Sequence, residues 1–282
     1  SSVAGKQSWF LIQKDILSKI SLFCDVDKDA VFPALTLKSI YEAPVELEKN
    51  ELSKIISKKL NLGEINPDLT DWIALTEKIR TKREDLKIGL VVKYGKLEDA
   101  YLSVVESLKI ACYHNDSELD LKWIDSEKLE EGDEEMWNEL KSCKGILVPG
   151  GFGSRGIEGK IMAAKYAREN DIPYFGICLG LQLMTIEYAR YKLADNEITS
   201  EEFDEKNKFK NKHIIHFMDG QNLQRAKGGT MRLGAYKCRI LPNTLASKIF
   251  QNEEISERHR HRYEINNEFI EKLKTSDYQV SG

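Results

Sequence analysis

Of the five cysteines in the 282-residue chain, Cys178 has the neighbours that best equip a thiol for chemistry. It lies in IPYFGICLGLQLMTIEYAR, residues 172–190, where a β-rich run (172–177) meets an amphipathic helical run (182–190). Gly176 and Gly180 flank it as G-x-C-x-G, the cysteine counterpart of the elbow that presents a nucleophile between strand and helix. Glycines suit so tight a turn because bulkier residues would crowd the strained backbone. The helix N-terminus behind the sulfur is expected to lower its pKa and favour the thiolate. The competing reading is a buried structural cysteine, since free cysteines are among the most buried residues.

A second stretch, ILVPGGFGSRGIEGK (146–160), sets Gly150, Gly151, Gly153 and Gly156 between a strand and a helix. Backbone N–H groups without side chains around them can approach a ligand closely, and an anion is the natural guest. Lys160 does not stand where G-K-[ST] would put it, which excludes a Walker loop. The glycine spacing, without an acidic partner on a following strand, argues against a dinucleotide site. Beside a nucleophilic cysteine, the better use is an oxyanion hole, in which fixed N–H donors stabilise a tetrahedral acyl intermediate. A plain glycine-rich connection is the alternative.

The elements that must position these stretches begin near Lys87. Apolar strand-like runs at 88–92, 119–124, 146–148 and 172–177 alternate with helical patterns at 98–110, 134–141, 157–170 and 181–191. The alternation predicts an α/β fold with a mostly parallel central sheet flanked by helices. In such sheets the ligand crevice lies at the carboxyl ends of the strands, where Pro149-Gly150-Gly151 and Cys178 both fall. Beyond Lys206, runs at 213–218 and 231–241 read as added strands and 267–274 as a helix. Residues before 80 are helical and charged, with Pro44 and Pro67 as breaks, and read as a separate element with a linker.

Composition narrows the function classes. With 41% hydrophobic and 31% charged residues, the chain can bury one sizeable core or two smaller ones. A net charge of −4 offers no broad basic surface for nucleic acid, and the Lys/Asn-rich stretch 206–212 reads as a solvated loop. Cys24, Cys112, Cys143, Cys178 and Cys238 form an odd, scattered set without C-x-x-C spacing, which argues against a disulfide framework and a zinc site. No signal-peptide pattern and no apolar run near about 18 residues is present, so no membrane partner and a cytoplasmic location are expected.

Together VPGGFGSRGIEGK, PYFGICLGLQL, EEF (201–203), GGTMRLGAYKC (228–238) and SERHRHRYEINN (256–267) resemble the class I glutamine amidotransferase domain of the CTP synthases. GGTMRLG and ERHRHRYE carry the narrower part of that match. An earlier stretch, SKISLFCDVDKDAVFPALTLKSIYEAP (18–44), resembles the end of the same family's amidoligase domain. The resemblance therefore implies two parts, the end of an amidoligase domain with a linker over 1–80 and a glutaminase domain over 81–282.

What the resemblance implies chemically is glutamine hydrolysis. Cys178 attacks the side-chain amide, ammonia leaves, and a γ-glutamyl thioester is hydrolysed; the ammonia aminates UTP, activated by ATP, to CTP. Gly151 and Leu179 are implied as backbone donors to the oxyanion, with Gly150 and Phe152 shaping the same wall. Gln182 is implied to contact bound glutamine, Glu202 to receive its α-ammonium and Arg262 to pair with its α-carboxylate, a task that suits the guanidinium fork. No cofactor is implied for this step, while ATP, magnesium and the activator GTP are implied for the full enzyme. Arg232, in a lid around GGTMRLG, can pair with an anion, and Arg155 is an implied nucleotide contact. The implied partners are glutamine, the amidoligase domain and further copies in a homotetramer.

Three features pull the other way. The family's catalytic histidine and glutamate lie in a downstream His-Pro-Glu motif, and the sequence ends at YQVSG (278–282) before one, so poor turnover is expected of it. Glu202 sits in an acidic run with Glu197, Glu201, Asp204 and Glu205, usually a solvated face. Arg258, Arg260 and Arg262 alternate with His259, His261 and Tyr263 as a charged strand edge would. Two other functions stay open: a non-catalytic docking or filament module of a larger synthase, and a γ-glutamyl peptidase of the same fold, against which GGTMRLG argues.

Overall fold

The computed structural model describes residues 16–33, 36–93, 98–204, 206–218, 232–274 and 278–282. The chain divides into two compact units, residues 1–83 and 84–282. In the first, helices run over Ala43–Glu48, Leu52–Leu60 and Thr70–Arg80. Pro44, expected to break a helix, instead opens one. In a first turn its missing N–H deprives the helix of nothing, and its fixed φ is already helical. Tyr41 stacks on Trp72 at 6.5 Å, and Arg80 reaches the largely buried Glu42 at 3.2 Å.

The second unit is built on β1 (Glu84–Val92), β2 (Ser117–Asp125), β3 (Gly145–Val148) and β4 (Tyr174–Gly176), all parallel, in the order β2-β1-β3-β4. Parallel neighbours need long crossovers. Helices Leu102–His114, Glu134–Ser142 and Ile157–Glu169 lie in them. The expected α/β architecture is therefore the observed one.

Both faces of the sheet are covered, so β3 is buried at all four positions and reads as a continuous apolar run. Val91, Ile124, Ile146 and Val148 pack with Leu129, Leu140 and Ala163 in one apolar cluster. Leu90, Val92 and Leu147 face the opposite cluster, with Tyr101 and Ile177. Side chains that alternate along a strand produce this division.

After the helix Leu179–Leu193 the chain forms β5 (Thr199–Ser200) and β6 (His213–Phe217), then a ribbon of β7 (Arg232–Arg239) and β8 (Glu254–His261), then β9 (Tyr263–Ile265). β5, β6 and β9 make a three-stranded sheet, whereas among the described residues β7 and β8 pair only with each other, antiparallel. The implied lid stretch falls partly on residues 228–231, which lie outside the described residues. The charged strand edge expected through Arg262 stops short of it. Arg258 and Arg260 are exposed on β8, but the chain leaves the ribbon at His261, and Arg262 is only 8% exposed.

Candidate active site

Val148 and Gly176 are paired residues at the ends of β3 and β4, so both strands deliver their tips to one place. Ile177 N–H still donates to Val148 O at 2.9 Å; the next residue, Cys178, turns to φ 53° and ψ −107° and the helix begins at Leu179. A non-glycine residue held in that region stores strain, which persists only when its surroundings fix it. Here the two glycines fix it. A Cβ on Gly180 would lie 2.0 Å from Val148 O, and one on Gly176 would lie 2.4 Å from the Gly180 carbonyl carbon. Gly180 N–H donates to Ile177 O at 2.9 Å, and the Tyr174 hydroxyl donates to Gly180 O at 3.0 Å, closing the turn.

The Cys178 thiol is partly buried, 3.9 Å from Arg260 O. Burial pushes its pKa up, the Leu179 N–H pulls it down, and the Glu202 charge adds to the upward push. The expectation of a thiolate favoured by the helix N-terminus is thus corrected. One backbone donor does not offset loss of water around the sulfur, and a carboxylate opposes ionisation from nearby.

The glycine loop forms a wall beside the sulfur. A Cβ on Gly150 would sit 3.4 Å from Cys178 Cβ, and one on Gly151 would sit 3.4 Å from the Leu179 side chain. The Phe152 ring is exposed, and its carbonyl accepts from Lys93 Nζ at 3.2 Å. Glu202 reaches the loop from beyond β5, its Oε1 accepting the Gly153 N–H at 2.9 Å.

The acidic run around Glu202 is not a plain solvated face. Glu201 accepts from Phe217 N–H at 2.8 Å, and Asp204 is buried against His213 at 2.8 Å. Gln182 Nε2 points at Tyr263 O at 3.5 Å. The Tyr263 hydroxyl is pushed up to about 12, chiefly by burial; the Glu202 charge raises it further and that of Arg262 opposes. Electrostatically, Cys178, Glu202, Tyr263 and Arg262 belong to one neighbourhood.

Two implied residues are engaged otherwise. Arg155 pairs with Glu127, and the Arg232 guanidinium lies over the Tyr236 ring at 4.4 Å. His259 Nδ1 and His261 Nε2 are 3.0 Å apart, and His261 Nδ1 lies 2.9 Å from Tyr263 O. Among the described residues no cluster of histidine, cysteine or carboxylate side chains could hold a metal, and no helix is long and apolar enough to cross a membrane.

Sequence reasoning passed over Lys160. It is 2% exposed, and desolvation, with the Lys93 charge added, lowers its pKa to about 8. A signal was available, because Lys160 shares a helical face with Ile157, Ala163, Ala164 and Ala167, all buried.

A strand-to-helix cysteine elbow walled by a glycine loop, on a parallel sheet, is an acyl-transfer architecture, and comparison with known proteins places it. The chain belongs to the class I glutamine amidotransferase family, whose profile, "Glutamine amidotransferase class-I", matches residues 96–281. A second profile, "CTP synthase N-terminus", matches residues 6–62.

Among its relatives are CTP synthases. The protein of that name from Methanocaldococcus jannaschii is 46% identical over 275 residues, 96% of this chain and 50% of its own length. That from Symbiobacterium thermophilum is 46% identical over 273 residues, again 96% of this chain and 50% of its own length. The chain thus spans about half the length of the curated relatives it matches. Among solved structures, the glutaminase domain of Trypanosoma brucei CTPS with bound acivicin aligns with a TM-score of 0.59 and 38% identity, covering 67% of this chain and 71% of that one.

Proposed function

We propose that this chain hydrolyses L-glutamine to glutamate and ammonia at Cys178, and that the ammonia serves the ATP-dependent amination of UTP to CTP. The observation that carries this reading is the elbow: Cys178 at φ 53°, with the Gly150–Gly151 wall against it. Sγ adds to the side-chain carboxamide carbon of glutamine (Cδ) and the carbonyl electron pair moves onto oxygen. When the carbonyl re-forms, the C–N bond breaks and the nitrogen, having taken up the proton that the thiol gave up, leaves as ammonia, giving a γ-glutamyl thioester. Water then adds to the thioester, releasing glutamate and restoring the thiol.

The N–H groups of Gly151 and Leu179 stabilise the oxyanion at each addition. Gly150 and Phe152 form the wall beside it, and Gln182 contacts the substrate from the first turn of the helix. Glu202 receives the α-ammonium and Arg262 the α-carboxylate, a division that their opposite charges and shared proximity to Tyr263 support. ATP and magnesium act in the amination step and GTP as an activator; the intact protein works as a homotetramer in the cytoplasm. Ammonia release from L-glutamine tests the reading. Even the slow release expected of the wild type should be lost in Cys178→Ala, and release undiminished in that variant rejects the assignment.

A further inference from the structure

Lys160 heads the fully buried side chains of the described structure by volume. No hydrogen bond or ion pair joins its ammonium to a described residue, and the stem, more than the ammonium tip, is what the fold encloses. The carboxylates on neighbouring elements are engaged elsewhere: Glu127 with Arg155, Glu158 with Arg190 and Glu187 with Arg168. Desolvation still works against the charge, so a fold that sets a lysine there invites a reason.

The position of the ammonium supplies one. Nζ lies 3.9 Å from where a Cβ on Gly151 would sit, and that same Cβ would touch Leu179 at 3.4 Å. The ammonium is therefore behind the segment whose other side meets Cys178, where a Cβ on Gly150 would be 3.9 Å from Sγ. Lys93 adds a second positive charge along the loop, bonded to the Phe152 carbonyl.

We propose that Lys160 is a positioning residue for the oxyanion hole: its ammonium, set against the Gly151 peptide, keeps the glycine loop at positive potential and stabilises the charge that develops on the γ-carbonyl oxygen. The proposal rests on the glutaminase reading. Lys160 exchanges no proton and no electron; it supplies a fixed charge, which acts strongly where water is excluded. The charge is absent from the ground-state amide oxygen, so its effect falls on the rate of addition and not on substrate capture.

The test is alkylation of Cys178 by a chloroketone analogue of glutamine whose carbonyl takes the place of the γ-amide carbonyl. It compares wild type with Lys160→Met, which fills a similar volume without charge. The variant should show a maximal alkylation rate lower by roughly tenfold or more, a half-saturating concentration within about twofold of wild type, and a higher melting temperature. An unchanged maximal rate overturns the inference. So does a slower rate accompanied by weaker saturation and a lower melting temperature, which marks a merely structural lysine. Failure of wild type itself to react at Cys178 overturns the glutaminase reading along with it.

Discussion

Glu202 holds the Gly153 N–H, and its charge adds to the burial that raises the pKa of the neighbouring Cys178 thiol. In the proposed site the α-ammonium of glutamine cancels that charge, so arrival of the substrate itself makes the thiol more acidic. Glu202→Gln separates the two roles. Glutamine capture should weaken by about 1–3 kcal/mol, the range of charge-assisted bonds, while Cys178 reacts faster than wild type with the neutral alkylator iodoacetamide at neutral pH. Slower reaction would show that Glu202 does not oppose ionisation. At this scale Cys178 was legible because its flanking glycines state the turn. The direction of its pKa was not, because burial depends on segments 24 and 82 residues distant, the Glu202 loop and the Arg260 carbonyl. Arg262 was legible by resemblance, but its alternation with histidines suggested an exposed edge that the bend after His261 removes.

The elbow depends on contact between elements. Gly180 presses on the end of β3, and a methyl group there would meet Val148 O at 2.0 Å. Gly180→Ala must push the helix Leu179–Leu193 off the sheet, at a cost on the order of 3 kcal/mol, and chemical denaturation should find that loss together with slower labelling of Cys178. Along the same helix, Glu187, 5% exposed, takes a bidentate bond from Arg168 on Ile157–Glu169 at 2.7–3.2 Å. Arg168→Ala leaves a buried carboxylate without its partner and should cost about 3–5 kcal/mol, whereas Arg168→Ala with Glu187→Leu should recover most of it. An additive double variant would deny the coupling. The four parallel strands were readable because apolar runs alternate with helical periods. The separation of β7–β8 from β6 and β9 was not, because patterning fixes which residues face a core and not which strand lies next to which.

Across the whole molecule, Lys160 links the loop to stability. Its pKa is about 8 in the folded protein against an ordinary 10.5, so between those values the unfolded chain binds more protons. Stability therefore rises with pH across that interval, by roughly 3 kcal/mol in all, and the full cost is present below pH 8. The other charges around this helix are the Lys93 ammonium and the Glu127–Arg155, Glu158–Arg190, Glu187–Arg168 and Lys165–Glu169 pairs. Urea denaturation should find Lys160→Met more stable than wild type at pH 7, with the difference closing by about pH 10.5; a gap independent of pH contradicts the buried-ammonium account.

The central claim, that Cys178 is a nucleophile served by a glutamine site, is tested most directly by peptide mapping after treatment with a diazo-ketone analogue of glutamine. Cys112 and Cys143 are buried with raised pKa values, while Cys24 is exposed and therefore an internal control for indiscriminate alkylation. The account predicts stoichiometric label on Cys178 alone, suppressed by L-glutamine and not by D-glutamine. Label distributed over Cys24 and Cys238, or label on Cys178 that L-glutamine leaves untouched, would contradict it.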